Sequence, residues 1–128
     1  MAYALLIVED PAQRATRTEA EGRELFARMQ QFGESLAAEG KLVHVESLAG
    51  ADTAVRVQRR AGATRLIDGP YAEAKEVVGG WAIMQYDSLE DAVADQREFA
   101  ELHAKHWPEV TVVATLRQIS DGPEPPTE

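Results

Sequence analysis

The segment Tyr3 to Val8, YALLIV, is a continuous apolar run with the length of a β-strand. A strand that alternates apolar with polar residues needs cover on one face only, whereas a strand that is apolar throughout must be buried on both faces. The sheet that contains this segment therefore needs a layer on each side. This requirement limits the folds that the rest of the chain can adopt.

Two segments have the signals of helices. The apolar residues of the first recur at spacings of four, three and four, which places them on one stripe: Leu25, Met29, Phe32 and Leu36. Two overlapping capping-box patterns, Thr16 to Glu19 and Thr18 to Glu21, predict its start, and Gly40 predicts its end. The second helix is predicted in SLEDAVADQREFAELHAKHW, with Ser88 as its N-cap.

The remaining segments predict strands and a hairpin. LVHVESL, GWAIMQY and VTVVATLRQI have the composition of strands, and AVRVQRR and TRLID flank a glycine turn. The predicted order is strand, helix, strand, hairpin, strand, helix, strand. This is an α+β, ferredoxin-like βαββαβ fold with a small inserted hairpin.

Two helices cover only one face of a four-stranded sheet, yet the strands carry apolar residues on both. Sorted by alternation within each strand, one set is Leu5, Ile7, Trp81, Ile83, Val112 and Leu116. The other set is Leu6, Val8, Met84 and Val113. A homodimer with sheets packed face to face would cover the second face, because a two-fold interface buries the same patch twice. We therefore expect a homodimer.

Composition excludes several classes of function. The formal charge is -9, from 13 Lys and Arg against 22 Asp and Glu, and such a surface repels a phosphate backbone, so nucleic acid is not expected as a partner. The chain has no cysteine, which excludes disulfides, thiolate nucleophiles and cysteine-based zinc sites. His103 and His106 lie near the end of the predicted second helix, where they complement its dipole, so we expect no metal site.

The ends of the chain indicate its organisation. MAYALLIVEDP has a short apolar run without a preceding basic region, so it predicts a first strand and neither a signal peptide nor a membrane span. A cytoplasmic location without membrane contact is expected. Residues 1–119 are predicted to form one domain, and residues 120–128 an acidic, Pro-rich, disordered tail.

The stretch from Asp68 to Trp81, DGPYAEAKEVVGGW, concentrates charged, aromatic and glycine residues between two predicted strands. The Asp68 carboxylate either accepts the backbone N–H groups of its own turn or faces a cleft. The pair Gly79 and Gly80 favours a bulge or a close approach of strands over a phosphate cradle, since no helix follows directly.

The longer string DGPYAEAKEVVGGWAI resembles the DGPF-type signature of YCII-related proteins, with Tyr71 for the usual Phe and Ala74 where Thr is common. The resemblance covers roughly residues 1–119. It implies a dimeric α+β barrel of ferredoxin-like protomers with a cleft beside the sheet. Some members carry a His–Asp pair proposed for acid–base chemistry, with the His on the first helix, and one relative is a dehydrochlorinase. The predicted first helix of this chain has no His.

Candidate chemistry therefore rests on other residues. His44 and Glu46 share a predicted strand face, and His44 as a general base with Asp68 or Glu46 as its orienting carboxylate would form a catalytic pair. The alternative is a structural His44 that is hydrogen-bonded to Glu46 or to the backbone. The candidate ligand-binding residues are Tyr71 and Trp81 as pocket walls, Lys75 as a contact for an anionic group, and Glu46.

Two functions follow from these candidates. The first is an enzyme without cofactor that performs acid–base chemistry, isomerisation or elimination, on a small molecule in a dimer cleft. The alternative is a small-molecule-binding or regulatory module. The family resemblance links the second function to extracytoplasmic-function sigma factor signalling, because some DGPF-type proteins are encoded near such factors.

Overall fold

A computed structural model describes residues 1–68 and 76–120. It contains two α-helices, α1 Glu19–Ala38 and α2 Leu89–His106, and two short 3-10 helices, Gln13–Thr16 and Ala51–Thr53. Its six strands are β1 Ala2–Glu9, β2 Leu42–Ser47, β3 Val55–Arg60, β4 Ala63–Asp68, β5 Val77–Gln85 and β6 Val112–Gln118.

Four strands form one antiparallel sheet in the order β2-β5-β1-β6, and β3 and β4 form a separate two-stranded sheet. The two halves of the chain, each strand, helix, strand, interleave in this order, because β1 lies between β5 and β6. This arrangement is the split βαβ topology. The structure confirms the predicted α+β, ferredoxin-like fold with an inserted hairpin.

Local sequence sets the ends of the helices. The Thr18 hydroxyl accepts a hydrogen bond from the Glu21 backbone at 3.0 Å, and the Glu21 carboxylate accepts one from the Thr18 backbone at 2.8 Å. This is the second of the two capping boxes that the sequence offers. Gly40, at φ 75°, ends α1 in the left-handed conformation. The Ser88 hydroxyl accepts from the Asp91 backbone at 3.1 Å at the start of α2.

The register of the sheet corrects the predicted sorting of its two faces. Leu5 lies opposite Ala82 and Leu116 in the helix-covered core, whereas Leu6 lies opposite Trp81. Trp81 and Ile83 therefore share the helix-free face with Leu6, and Met84 lies in the core. Sorting by alternation gave the opposite assignment for these three residues, because alternation within a strand carries no information about how strands are paired.

An irregularity in the pairing of β2 with β5 changes the faces of β2. The register shifts between Leu42, which lies opposite Met84, and His44, which lies opposite Ile83. Leu42 packs against the core and His44 lies on the helix-free face. Strict alternation along LVHVESL would place Leu42 and His44 on the same face. The extra residue between them turns the side chains that follow to the other face.

The glycine pair of β5 forms a bulge, as the sequence predicted. Ile7 lies opposite Gly80 and Val8 lies opposite Val78, so Gly79 is the extra residue. A Cβ atom at Gly79 would overlap the carboxylate of Glu9, and one at Gly80 would lie 3.1 Å from the Glu46 carbonyl oxygen. Only glycine leaves room for these close approaches.

The hairpin β3–β4 turns at Ala61 and Gly62, whose φ angles of 52° and 79° are both left-handed, as a two-residue type I′ turn requires. Val57 and Leu66 lie opposite each other on one face of the hairpin and are 70% and 69% exposed. Two strands alone are marginally stable in water. The hairpin therefore carries an apolar surface without cover among the described residues.

The predicted tail, residues 120–128, lies outside the described residues from position 121 onward. Among the described residues, no helix combines the length and the apolar character needed to cross a membrane. The described residues extend two positions beyond the end of β6.

Candidate functional site

Three of the residues predicted from the sequence lie together on the helix-free face of the sheet. The Nε2 atom of His44 lies 3.0 Å from Oε1 of Glu46, and the rings of His44 and Trp81 are 5.2 Å apart between centroids. The side chains of His44 and Glu46 are 52% and 55% exposed. The pair therefore forms in an open, water-accessible surface of the protomer.

The other predicted site residues fall outside what the structure describes. Asp68 is the last residue of β4, opposite Val55, and its side chain lies outside the described part of the chain. Tyr71 and Lys75 lie within residues 69–75, which are also outside it. The roles of these three residues stay predictions.

A cavity of about 440 Å³ lies on the opposite face of the sheet, beneath α1 and α2. The sheet contributes Leu5, Ile7, Ala82 and Met84 to its wall, and the two helices contribute Leu25, Met29, Phe32, Leu36 and Phe99. Leu25 and Leu36 are buried, but Met29 and Phe32 of the same stripe are only half-buried. The helix stripe predicted from the sequence therefore lines the cavity along its whole length, and Leu25 and Leu36 are its more deeply buried members.

Two buried polar side chains of α2 also line the cavity. His103 is 6% exposed and Gln96 is 7% exposed. The Nδ1 atom of His103 lies 2.9 Å from the carbonyl oxygen of Phe99, and because a carbonyl only accepts, Nδ1 carries the proton. Nε2 is then the acceptor nitrogen of the neutral ring.

The surroundings of His103 keep its ring neutral. Burial lowers the pKa of His103 from its ordinary value of 6.5, the hydrogen bond to Phe99 opposes this change, and the nearby Arg17 guanidinium adds to the lowering. A neutral imidazole with a lone pair on Nε2 accepts a proton or a hydrogen bond. The cavity thus combines an apolar wall with a proton acceptor.

Arginines surround the mouth of the cavity. Arg14, Arg17, Gly22 and Phe26 line both the cavity and a shallow depression outside it, so they mark the entrance. Arg14 forms an ion pair with Glu9 at 2.6 Å, and Arg23, beside the entrance, forms one with Glu19 at 2.6 Å. The guanidinium of Arg17 lies 4.9 Å from the centroid of the Trp107 ring.

The sequence did not indicate the polar residues of the cavity, His103 and Arg17, as site residues. It assigned His103 to the helix dipole, but His103 continues the buried stripe of α2: Ala92, Gln96, Phe99 and His103. Spacings of four, three and four carry a signal that could have placed this imidazole in the interior. No comparable signal exists for Arg17, which lies between the short 3-10 helix and the N-cap of α1.

Among residues 1–68 and 76–120, no three His, Asp or Glu side chains converge as a metal site would require. The groups that line the cavity are suited instead to an organic molecule. Its apolar part would contact the Leu, Met and Phe side chains, and its polar part would meet His103, Gln96 or the arginines of the mouth.

Comparison with known proteins identifies the family of the chain. The YCII-related domain matches residues 1–115. The chain belongs to the YCII-related family. An uncharacterised protein of Rhizobium meliloti (strain 1021) is 27% identical over 100 residues, which are 78% of this chain and 81% of that protein. The predicted membership of the YCII-related family is thereby confirmed.

Replacement of His103 by Asn tests the state of the buried imidazole. Asn retains a donor toward the Phe99 carbonyl but does not titrate. Because the pKa of His103 is lowered in the folded protein, the unfolded chain takes up a proton that the folded protein excludes, so stability is lost as pH falls below about 6.5. Urea unfolding from about pH 7.5 to about pH 5 should show a smaller acid loss for His103→Asn than for the wild type. Parallel losses would contradict a neutral, buried His103.

Proposed function

We propose that this YCII-related protein binds a small, largely apolar organic molecule in the cavity beneath α1 and α2. The single observation that carries the proposal is the cavity itself, about 440 Å³ in volume, with an apolar wall and two buried polar side chains on α2. Ligand pockets of proteins have volumes of about 300 to 1,000 Å³ and combine these same features.

The size of the cavity supports an occupant. Protein interiors are packed as densely as organic crystals and contain few voids larger than a water molecule. A space of this size beside a core therefore has room for a bound molecule. Met29 and Phe32 line it and stay half-buried, so part of each side chain is open to contact with a ligand.

His103 supports a chemical role for the site without a cofactor. Its Nδ1 atom is fixed by the Phe99 carbonyl, which orients the ring and leaves Nε2 as the acceptor. A neutral imidazole in an apolar cavity can take a proton from a bound molecule near neutral pH. The proposed function is therefore binding of a small molecule. If the site is also catalytic, its reaction would be transfer of a proton from that molecule to His103.

Filling the cavity should abolish binding. A Cβ atom at Gly33 of α1, which lines the cavity, would lie 3.5 Å from Cδ2 of Leu42, an ordinary contact, so a larger side chain can be accommodated there. The neutral probe N-phenyl-1-naphthylamine, whose fluorescence rises in apolar surroundings, should bind saturably to the wild type. We expect Gly33→Leu to weaken this binding at least about tenfold, because the added side chain occupies ligand volume.

The matched control is Ala27→Leu, an exposed position on the same helix. This variant also adds a leucine to α1 and should bind the probe like the wild type. If the probe does not bind the wild type, or if both variants bind it equally, the cavity is not the binding site.

A second candidate is acid–base chemistry at the helix-free face, in a cleft completed by a second copy of the chain. The 3.0 Å contact between His44 and Glu46 favours it, because a carboxylate beside an imidazole orients the ring. In the protomer alone both side chains are more than half exposed. A partner surface is required to exclude water from the pair.

The helix-free face supports a homodimer. Val78 and Val113 are 41% and 46% exposed there, on either side of Val8. The hairpin adds Val57 and Leu66, which are more exposed still. A two-fold interface between copies buries each of these surfaces twice. The same homodimer would complete the cleft around His44 and Glu46.

Sedimentation equilibrium tests the association on which the second candidate depends. The wild type should sediment as a dimer, and Val113→Glu should sediment as a monomer, because the substitution buries unpaired charge in the interface. Val93→Glu is the control, since Val93 is exposed on α2 and away from the sheet face. It should remain a dimer. A monomeric wild type would contradict both the dimer and the cleft.

A further inference from the structure

We propose that the molecule bound in the cavity is an amphipathic monoanion, with an apolar body in the cavity and a carboxylate at its mouth on Arg17. This inference rests on the proposed function, because it names the class of ligand for the same cavity. The inference rests on which arginines around the entrance have carboxylate partners and which one has none.

Arg17 is held in place by packing. Its guanidinium lies 4.9 Å from the centroid of Trp107, a residue that is 4% exposed and lines the cavity. The same side chain passes over Gly22, where a Cβ atom would lie 3.1 Å from Nε of Arg17. A glycine below and an indole beside the guanidinium fix its position at the cavity mouth.

The charge of Arg17 has no carboxylate partner. Within the described ranges 1–68 and 76–120, no Asp or Glu oxygen lies within ion-pair distance of Arg17. Arg14 is occupied by Glu9 and by two backbone carbonyls, and Arg23 is occupied by Glu19. Arg17 is therefore the cation of the entrance that is available to a ligand.

The chemistry of the guanidinium selects the ligand's head group. Its planar donors match the two oxygens of a carboxylate, and such charge-assisted hydrogen bonds are stronger than those to neutral groups. The protein as a whole carries a formal charge of -9, so an anion approaches this surface only where a cation is exposed. An arginine left unpaired at the mouth of an apolar cavity selects for an anion with an apolar body.

His103 sets the number of negative charges. It lines the cavity next to the Phe99 ring, at 4.4 Å between centroids, and Nδ1 is committed to the Phe99 carbonyl. The imidazole of His103 thus offers an acceptor nitrogen, and it adds no positive charge to that of Arg17. One available cation is matched by one carboxylate, and the ligand class is a monoanion.

Competition between two matched molecules tests the inference. Octanoate and 1-octanol have the same chain length and differ in the charged head, and each would displace N-phenyl-1-naphthylamine from the cavity. We expect the wild type to prefer octanoate, and Arg17→Met to lower the ratio of octanoate to octanol affinity about tenfold or more. Met retains much of the apolar stem without the charge. Arg17→Lys should keep part of the preference.

The control is Arg23→Met, which removes a neighbouring cation that is already paired with Glu19. It should retain the octanoate preference. A second measurement needs no variant: added NaCl should weaken binding of octanoate to the wild type and leave that of octanol undiminished.

The outcomes separate this inference from the proposed function. If the probe binds in the cavity but octanoate has no advantage over octanol, the assignment of Arg17 is wrong and the cavity remains a site for neutral molecules. An equal loss in Arg17→Met and Arg23→Met would reduce the effect to general surface charge and overturn the inference. Failure of the probe to bind the wild type would overturn both proposals.

Discussion

The side chain of Arg14 joins β1, β5 and the residue that follows β2, at the point where the chain leaves β1 for α1. It forms an ion pair with Glu9 at the end of β1, at 2.6 Å, and donates to the carbonyl oxygens of Leu48 and Gly79 at 2.9 and 3.3 Å. These contacts require the bulge at Gly79, because any side chain there would displace the Glu9 carboxylate. Since Arg14 belongs to the short segment before α1, this cluster fixes where the helix starts above the sheet.

The start of α1 in turn determines the cavity. With the capping box at Thr18 close behind the Arg14 cluster, α1 crosses the sheet with Leu25 and Leu36 buried and with Met29 and Phe32 half-buried. Space remains above Leu5 and Ala82, and α2 closes it from the other side with Phe99 and His103. The entrance lies beside the same cluster, which is why arginines surround it.

Signals between residues close in sequence predicted the fold well. The Thr18 box, Gly40 and Ser88 mark helix ends through contacts a few residues apart, and the left-handed pair at Ala61 and Gly62 matches the predicted turn. The face of each strand was harder to predict. Trp81 and Met84 were assigned to the wrong faces because strand register and the two irregularities in pairing depend on partners far along the chain.

The site was less predictable than the fold for the same reason. The contact of His44 with Glu46 follows from alternation along one strand, and the sequence did indicate it. The cavity needs α1, α2 and the sheet together, so its volume has no local signature. His103 alone carried one, through its place in the apolar stripe of α2. Arg17 becomes informative only when its contact with Trp107 and the partners of the other arginines are known.

A ligand that enters the protomer beneath its helices would lie beside methionine methyl groups. The NMR signals of these groups would therefore report its binding. The chain has three methionines, of which Met29 and Met84 line the cavity and Met1 is 50% exposed away from it. In a protein labelled with carbon-13 at the methionine methyl groups, titration with octanoate should shift the NMR signals of Met29 and Met84 and leave that of Met1 in place. Unchanged Met29 and Met84 signals at saturating octanoate would contradict binding of a ligand beneath the helices.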